Sequence, residues 1–203
     1  MLVARHRGVQ LIVAMSAAVT FTSAAFLVVE PLYAQHVLHR PPSQFALFEA
    51  ASGIGAILAS LVIPRFRARL PGRRVLGASG ACYGLAACVF AGTTLVPVAY
   101  VGAFTWGVTG SVFGTVTLTT LQRAAPERAH GRIMGVTTAI DSWVETIGLP
   151  LGGVTLTALG IRAGALALAG VAILAGLTCL TIAAMHPAPT PGDPAPDGDK
   201  AAS

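Results

Sequence analysis

Four carboxylates in this chain stand where a carboxylate is expensive. Of its eight acidic residues, Glu30, Glu49, Asp141 and Glu145 fall within long apolar runs. An ionised side chain at the centre of a membrane helix costs roughly 2.5–3.5 kcal/mol even on the lenient insertion scale. No lysine or arginine lies within the three runs that hold them. A carboxylate so placed must be protonated or must face a hydrated cavity, and transporters use both states. Asp141 and Glu145 are four residues apart, which on a helix puts them on one face, one turn from each other. Two like charges at that spacing in a poor dielectric cannot both form cheaply, so the pair is expected to take up and release a proton. Glu30 and Glu49 lie nearer the ends of adjacent runs and are expected to reach toward water, as further candidates for proton coupling.

A second group carries hydroxyls. Thr105, Thr109, Ser111, Thr115, Thr117, Thr119 and Thr120 recur along one run, with Trp106 among them. Such hydroxyls can satisfy themselves on carbonyls of the preceding turn, which is ordinary membrane-helix chemistry. The alternative is that one face lines a water-filled path. Thr105, Trp106 and Thr109, together with Thr20 and Phe113, are then the candidates to meet a substrate. Enzyme chemistry has no foothold: no H-E-x-x-H, G-x-S-x-G or P-loop motif occurs, and the five histidines lie in or beside loops. Cys82, Cys88 and Cys179 sit in apolar runs without metal or redox spacing. No catalytic residue, metal or cofactor is expected.

The elements that position these groups follow from composition. The 203 residues are 54% hydrophobic and 10% charged, with a mean hydropathy of +0.73. That leaves too little polar surface to coat a water-soluble globule. A spanning helix needs roughly 20 apolar residues, and six such segments are predicted, at about 9–34, 44–63, 75–93, 97–121, 133–157 and 161–184. Glu30-Pro31 and Leu149-Pro150 mark kinks or helix ends. The expected fold is therefore an all-α membrane domain of six transmembrane helices over residues 1–185. Residues 186–203, rich in Pro, Gly, Ala and Asp, are expected to form a disordered cytoplasmic tail.

Orientation comes from the arginines. Five of them crowd into Arg65–Arg74, between the second and third segments. If that connector is cytoplasmic, alternation brings Arg5, Arg7, Arg123, Arg128, Arg132 and Lys200 to the same side and leaves Arg40 and Arg162 opposite. Both termini are then cytoplasmic and the protein is multi-pass in the cell (inner) membrane. The net charge of +5 is thus a topology signal and not a nucleic-acid-binding face. The first segment is longer than the core of a cleaved signal peptide and reads as an uncleaved helix. Glycines recur in the segments, among them Gly53, Gly55, Gly80, Gly84, Gly110, Gly114, Gly148 and Gly152. They allow the close backbone approach on which helix packing in lipid depends.

Three stretches carry a family resemblance. The first runs from Pro31 to Phe66 and contains Gly53 and Gly55. The second is RFRARLPGRR, with Gly72, Arg73 and Arg74. The third, LQRAAPERAHGRIMG, holds Gln122, Pro126, Gly131, Arg132 and Gly135. In this order the chain resembles the C-terminal half, helices seven to twelve, of a major facilitator superfamily transporter of the drug and siderophore exporter type. Gly72, Arg73 and Arg74 are similar to the second copy of the family's loop motif, but its acidic residue is missing here.

The resemblance implies one half of a twelve-helix fold, with the first and fourth spans lining a path completed by a second half-transporter or a second copy of the chain. It implies transmembrane transport of a small molecule, in the form of proton-coupled efflux, by a permease or half-permease. The competing expectation is a truncated, non-transporting fragment or a membrane scaffold whose polar faces serve assembly alone.

Overall fold

The computed structural model describes residues 7–66, 72–124 and 130–185. Six α-helices follow one another: α1 (Arg7–His36), α2 (Pro42–Phe66), α3 (Gly72–Gly92), α4 (Val96–Ala124), α5 (His130–Leu159) and α6 (Ile161–Met185). No strand occurs among the described residues. Even α3, the shortest with 21 residues, is about 32 Å long at about 1.5 Å per residue, enough for a hydrocarbon core of about 30 Å. Pro31 and Pro150 lie inside α1 and α5 and end neither helix. Only Gly160 separates α5 from α6. Its φ of 83° is a left-handed conformation that a side chain would strain.

Gly72, Arg73 and Arg74 open α3 instead of lying in a connector, and the Arg74 side chain is exposed. Arg67 and Arg69 of the same cluster, Arg128 of the α4–α5 connector and the expected tail at 186–203 lie outside the described residues.

Five of the helices are long and apolar enough to cross a membrane by length and composition. The exception is α5, which carries Asp141, Glu145 and several hydroxyl residues. Its packing supplies what its composition withholds. Asp141 meets Ser16 and Thr20, Gly148 lies against Phe21 and Ala24, and Gly152 lies against Ala25. The numbers rise together along both helices, so α5 runs parallel to α1 and crosses wherever α1 does.

The helix pairings repeat. The pairs α2–α4 and α1–α5 correspond when the first three helices are exchanged with the last three, as do α3–α4 and α1–α6, while α3–α6 maps onto itself. Alternation makes α1 and α4 run in opposite directions, so the two triplets are inverted copies, a plan that puts binding sites near the bilayer midplane. Most of these pairings bring glycines against the neighbouring helix. A Cβ on Gly107 would collide with the Ser52 carbonyl across α2–α4, and one on Gly152 would lie 2.9 Å from the Ala25 Cα across α1–α5. Gly55, Gly80, Gly84, Gly110 and Gly148 also face neighbouring helices, whereas Gly53 and Gly114 meet nothing within 4 Å.

At one end of the bundle, Arg162 Nη2 of α6 donates to the Gly92 carbonyl that closes α3, and the Tyr33 hydroxyl of α1 donates to the Thr93 carbonyl at 2.5 Å. These bonds put the connectors α3–α4 and α5–α6 and the end of α1 on one face. The arginine-rich helix ends lie on the other.

Candidate functional site

Three helices line an open-sided cavity of about 450 Å³. One wall is α1, through Ser16, Thr20 and Ser23. A second is α4, through Gly110, Phe113, Gly114 and Thr117, and the third is α5, through Met134, Thr137, Asp141 and Glu145. Tyr83 reaches in from α3. These residues run from the middle of each helix toward the arginine-rich end of the bundle, with Tyr83, Glu145 and Ser23 at the helix middles. Gly110 and Gly114 keep the α4 wall low: nothing approaches the Cβ position of Gly114, and only the Tyr83 ring approaches that of Gly110.

Asp141 is the best anchored group. Ser16 Oγ donates to Asp141 Oδ2 at 3.2 Å and Oδ1 at 3.3 Å, and Thr20 Oγ1 donates to Oδ1 at 3.5 Å. Ser16 and Thr20 are one turn apart, so a single face of α1 presents both hydroxyls. The bonds are long for hydroxyl-to-carboxylate pairs, which run to about 2.5–2.7 Å when tight. Asp141 is therefore held but not saturated, and it has acceptor capacity to spare. Glu145 lines the same cavity one turn further along and is exposed. The two carboxylates thus share a cavity, as their spacing suggests, but the partners of Asp141 are hydroxyls of α1.

An aromatic layer lies behind. Trp106 packs edge-on against Phe26, with ring centroids 5.2 Å apart, and tilted against Tyr83 at 5.4 Å. Its indole N–H is buried without a hydrogen-bond partner and lies close to the Tyr83 side chain. Tyr83 also lies near Ser23. Beyond this layer, one turn past Phe26, comes Glu30. It does not reach toward water: only 4% of it is exposed, and it meets Glu49 of α2 within hydrogen-bonding reach. Neither lines the cavity.

The other sequence candidates separate. Thr20 and Phe113 line the cavity, and Trp106 backs it. Thr105 and Thr109 do not line it; Thr105 Oγ1 donates to the Val101 carbonyl at 2.7 Å and Thr109 Oγ1 to the Thr105 carbonyl at 2.9 Å. They follow the ordinary helix chemistry described above. Ser16, Tyr83 and Thr137 were not singled out in the sequence. The i, i+4 spacing of Ser16 and Thr20 was a usable signal, but nothing in the residues around Tyr83 marks it.

A carboxylate-bearing cavity at membrane depth, lined by an inverted-repeat bundle of membrane helices, defines a multi-pass membrane protein of the transporter class. The Major Facilitator Superfamily matches the chain over residues 11–203, and the chain belongs to that family. No curated protein and no solved structure matches it.

Proposed function

We propose that the chain is a six-helix half of a proton-coupled exporter, equivalent to helices seven to twelve of the full major facilitator fold. A second half-transporter, or a second copy of the chain, completes the path for a small molecule. The observation that carries this reading is Asp141: it sits in a cavity wall at membrane depth, held by Ser16 and Thr20, with no basic residue among the lining groups. Without a fixed counter-charge, the carboxyl group exchanges a proton according to whether water or substrate occupies the cavity.

Glu145 assists from the next turn of α5, and the Glu30–Glu49 pair forms a second proton station on the far side of the aromatic layer. Phe113 and Thr20 shape the cavity. The arginine-rich end is cytoplasmic, so the cavity reaches from the middle of the cell membrane toward its inner face, and both termini lie inside.

Reconstitution tests this. The chain, alone and as a tandem fusion of two copies, is placed in liposomes holding a pH-sensitive dye, and amphipathic compounds of each charge class are added. Compound-dependent proton movement that vanishes in Asp141→Asn supports the reading. Compound movement indifferent to the proton gradient overturns the coupling, and no movement from either form overturns completion of the path by a second copy of the chain.

A further inference from the structure

We propose that the Tyr83 hydroxyl passes protons between the cavity and the buried Glu30 carboxyl, as the link through an aromatic layer that otherwise separates them. The proposal rests on the transport reading above, and it names the group that joins its two proton stations.

The chemistry of the layer is the first argument. Its three rings are Phe26, Trp106 and Tyr83. Phe26 has no exchangeable proton, the Trp106 indole N–H only donates, and the Tyr83 phenol both donates and accepts. Only the phenol can therefore hand a proton on and take another. Tyr83 also touches both sides. It lines the cavity together with Ser23, whose hydroxyl is within hydrogen-bonding reach of its own, and it is close enough to Glu30 to feel that group electrostatically. The ionisable groups that face Glu30 are Glu49 from α2 and Tyr83 from α3.

Spacing is the second argument. Ser23 and Glu30 are seven residues apart on α1, so they share a face two turns apart, about 10.5 Å along the axis. That gap is too long for one hydrogen bond, but a hydroxyl and one water span it. Packing is the third. Tyr83 is 5% exposed and its ring is braced by Trp106, so only the hydroxyl hydrogen is free to turn. The indole N–H is buried without a hydrogen-bond partner and lies close to the Tyr83 side chain, toward which it can act only as donor. The single phenol hydrogen then has two alternative directions, Ser23 or Glu30. Transfer conserves charge at Tyr83: it gives its hydrogen toward Glu30 and takes a replacement from the Ser23 side, so the phenol ends as it began. An occupant of the cavity that engages Ser23 turns the hydrogen toward Glu30, which ties the second station to the state of the cavity.

The test follows Glu30 itself. The full chain is inserted in one orientation in liposomes, and the infrared carbonyl band of Glu30, assigned by its loss in Glu30→Gln, is recorded after a pH jump applied to one face at a time. In the unaltered chain both jumps are expected to register, the one from the cavity face through Tyr83 and the one from the opposite face through the exposed Glu49. Tyr83→Phe removes one oxygen and keeps the ring. It should slow the response to the cavity-face jump by roughly a hundredfold and leave the response from the opposite face unchanged, a one-sided loss that a packing role would not produce. Circular dichroism and gel-filtration profiles show whether Tyr83→Phe has assembled. If it has not, Ser23→Ala is read instead, with the same one-sided response slowed by roughly tenfold. An unchanged cavity-face response in the variant read, equal loss from both faces, or a Glu30 band that answers neither jump in the unaltered chain overturns the proposal. One-sided loss in a chain that moves no compound would refute the transport reading alone, and full proton-coupled flux in Tyr83→Phe would refute this inference alone.

Discussion

Ser16 of α1 and Asp141 of α5 are 125 positions apart in sequence, yet one hydroxyl bonds both oxygens of the carboxylate, at 3.2 and 3.3 Å. Thr20 adds a longer third bond. This contact ties the helix that carries the acid to the helix that walls the cavity. Any protonation change at Asp141 is thereby felt at the α1–α5 interface, because a neutral carboxyl accepts these bonds less strongly than a carboxylate.

The first prediction concerns that contact. Asp141→Asn keeps the shape and loses the charge, so the bundle should assemble normally while proton-coupled transport falls to background. Ser16→Ala should reduce transport by roughly three- to tenfold, the value of an ordinary hydrogen bond of about 1 kcal/mol, since these bonds are long. Proton flux in liposomes measures both. An Asp141→Asn protein with full coupling would remove Asp141 from the mechanism.

Glu30 should respond to loss of its hydrogen-bonding group and not to loss of charge. Its side chain is buried beside Glu49, so Glu30→Gln is expected to preserve yield and thermal stability, because a neutral amide still bonds a carboxylate. Glu30→Leu leaves Glu49 without that partner and should lower stability by about 1–3 kcal/mol. Unfolding in detergent, followed by circular dichroism, separates the two. Equal stability of both variants would show that the pair contributes nothing to assembly.

Close packing makes Gly107 intolerant. A methyl group there meets the Ser52 backbone, which cannot move aside as a flexible side chain could. Gly107→Ala should therefore destabilise the α2–α4 pair by about 1–3 kcal/mol. Gly53→Ala, where a methyl group meets open space, should be neutral or slightly stabilising. Thermal melting of the two purified variants decides it, and reversal of their order would contradict the helix pairing described here.

Sidedness can be read chemically. In a background without Cys82, Cys88 and Cys179, a cysteine placed at His39 or Thr94 should react with an impermeant maleimide added outside cells. One placed at Arg65 or Gln122 should react only after the membrane is opened. These positions flank α1–α2, α3–α4, α2–α3 and α4–α5 respectively. Labelling of Arg65→Cys from outside would invert the orientation drawn from the arginines.

Much of the architecture was legible in the residues. Six apolar runs long enough to span a bilayer, separated by short polar connectors, determine six helices whatever their partners, because backbone groups in lipid must be satisfied within each segment. The carboxylates were conspicuous for the same reason: their cost depends on local depth, which sequence reports. Several glycines stood out as packing residues and six of the eight named face a neighbouring helix, but their spacing could not say which helix they meet or that Gly114 widens a cavity instead.

What the sequence by itself determined, then, is the class of protein and the inventory of costly groups. The tertiary structure decided who meets whom. It paired Asp141 with Ser16 and Thr20, brought Glu30 to Glu49, placed Tyr83 in the cavity, and left Thr105 and Thr109 to bond their own helix. It also carried α5 across beside α1 despite its polar residues. The reason is rotational: partners across an interface depend on how each helix turns about its axis and which neighbour it approaches. Those angles are set by small-residue contacts such as Gly152 on Ala25 and Gly107 on Ser52, which lie far apart in the chain and meet only in the folded bundle.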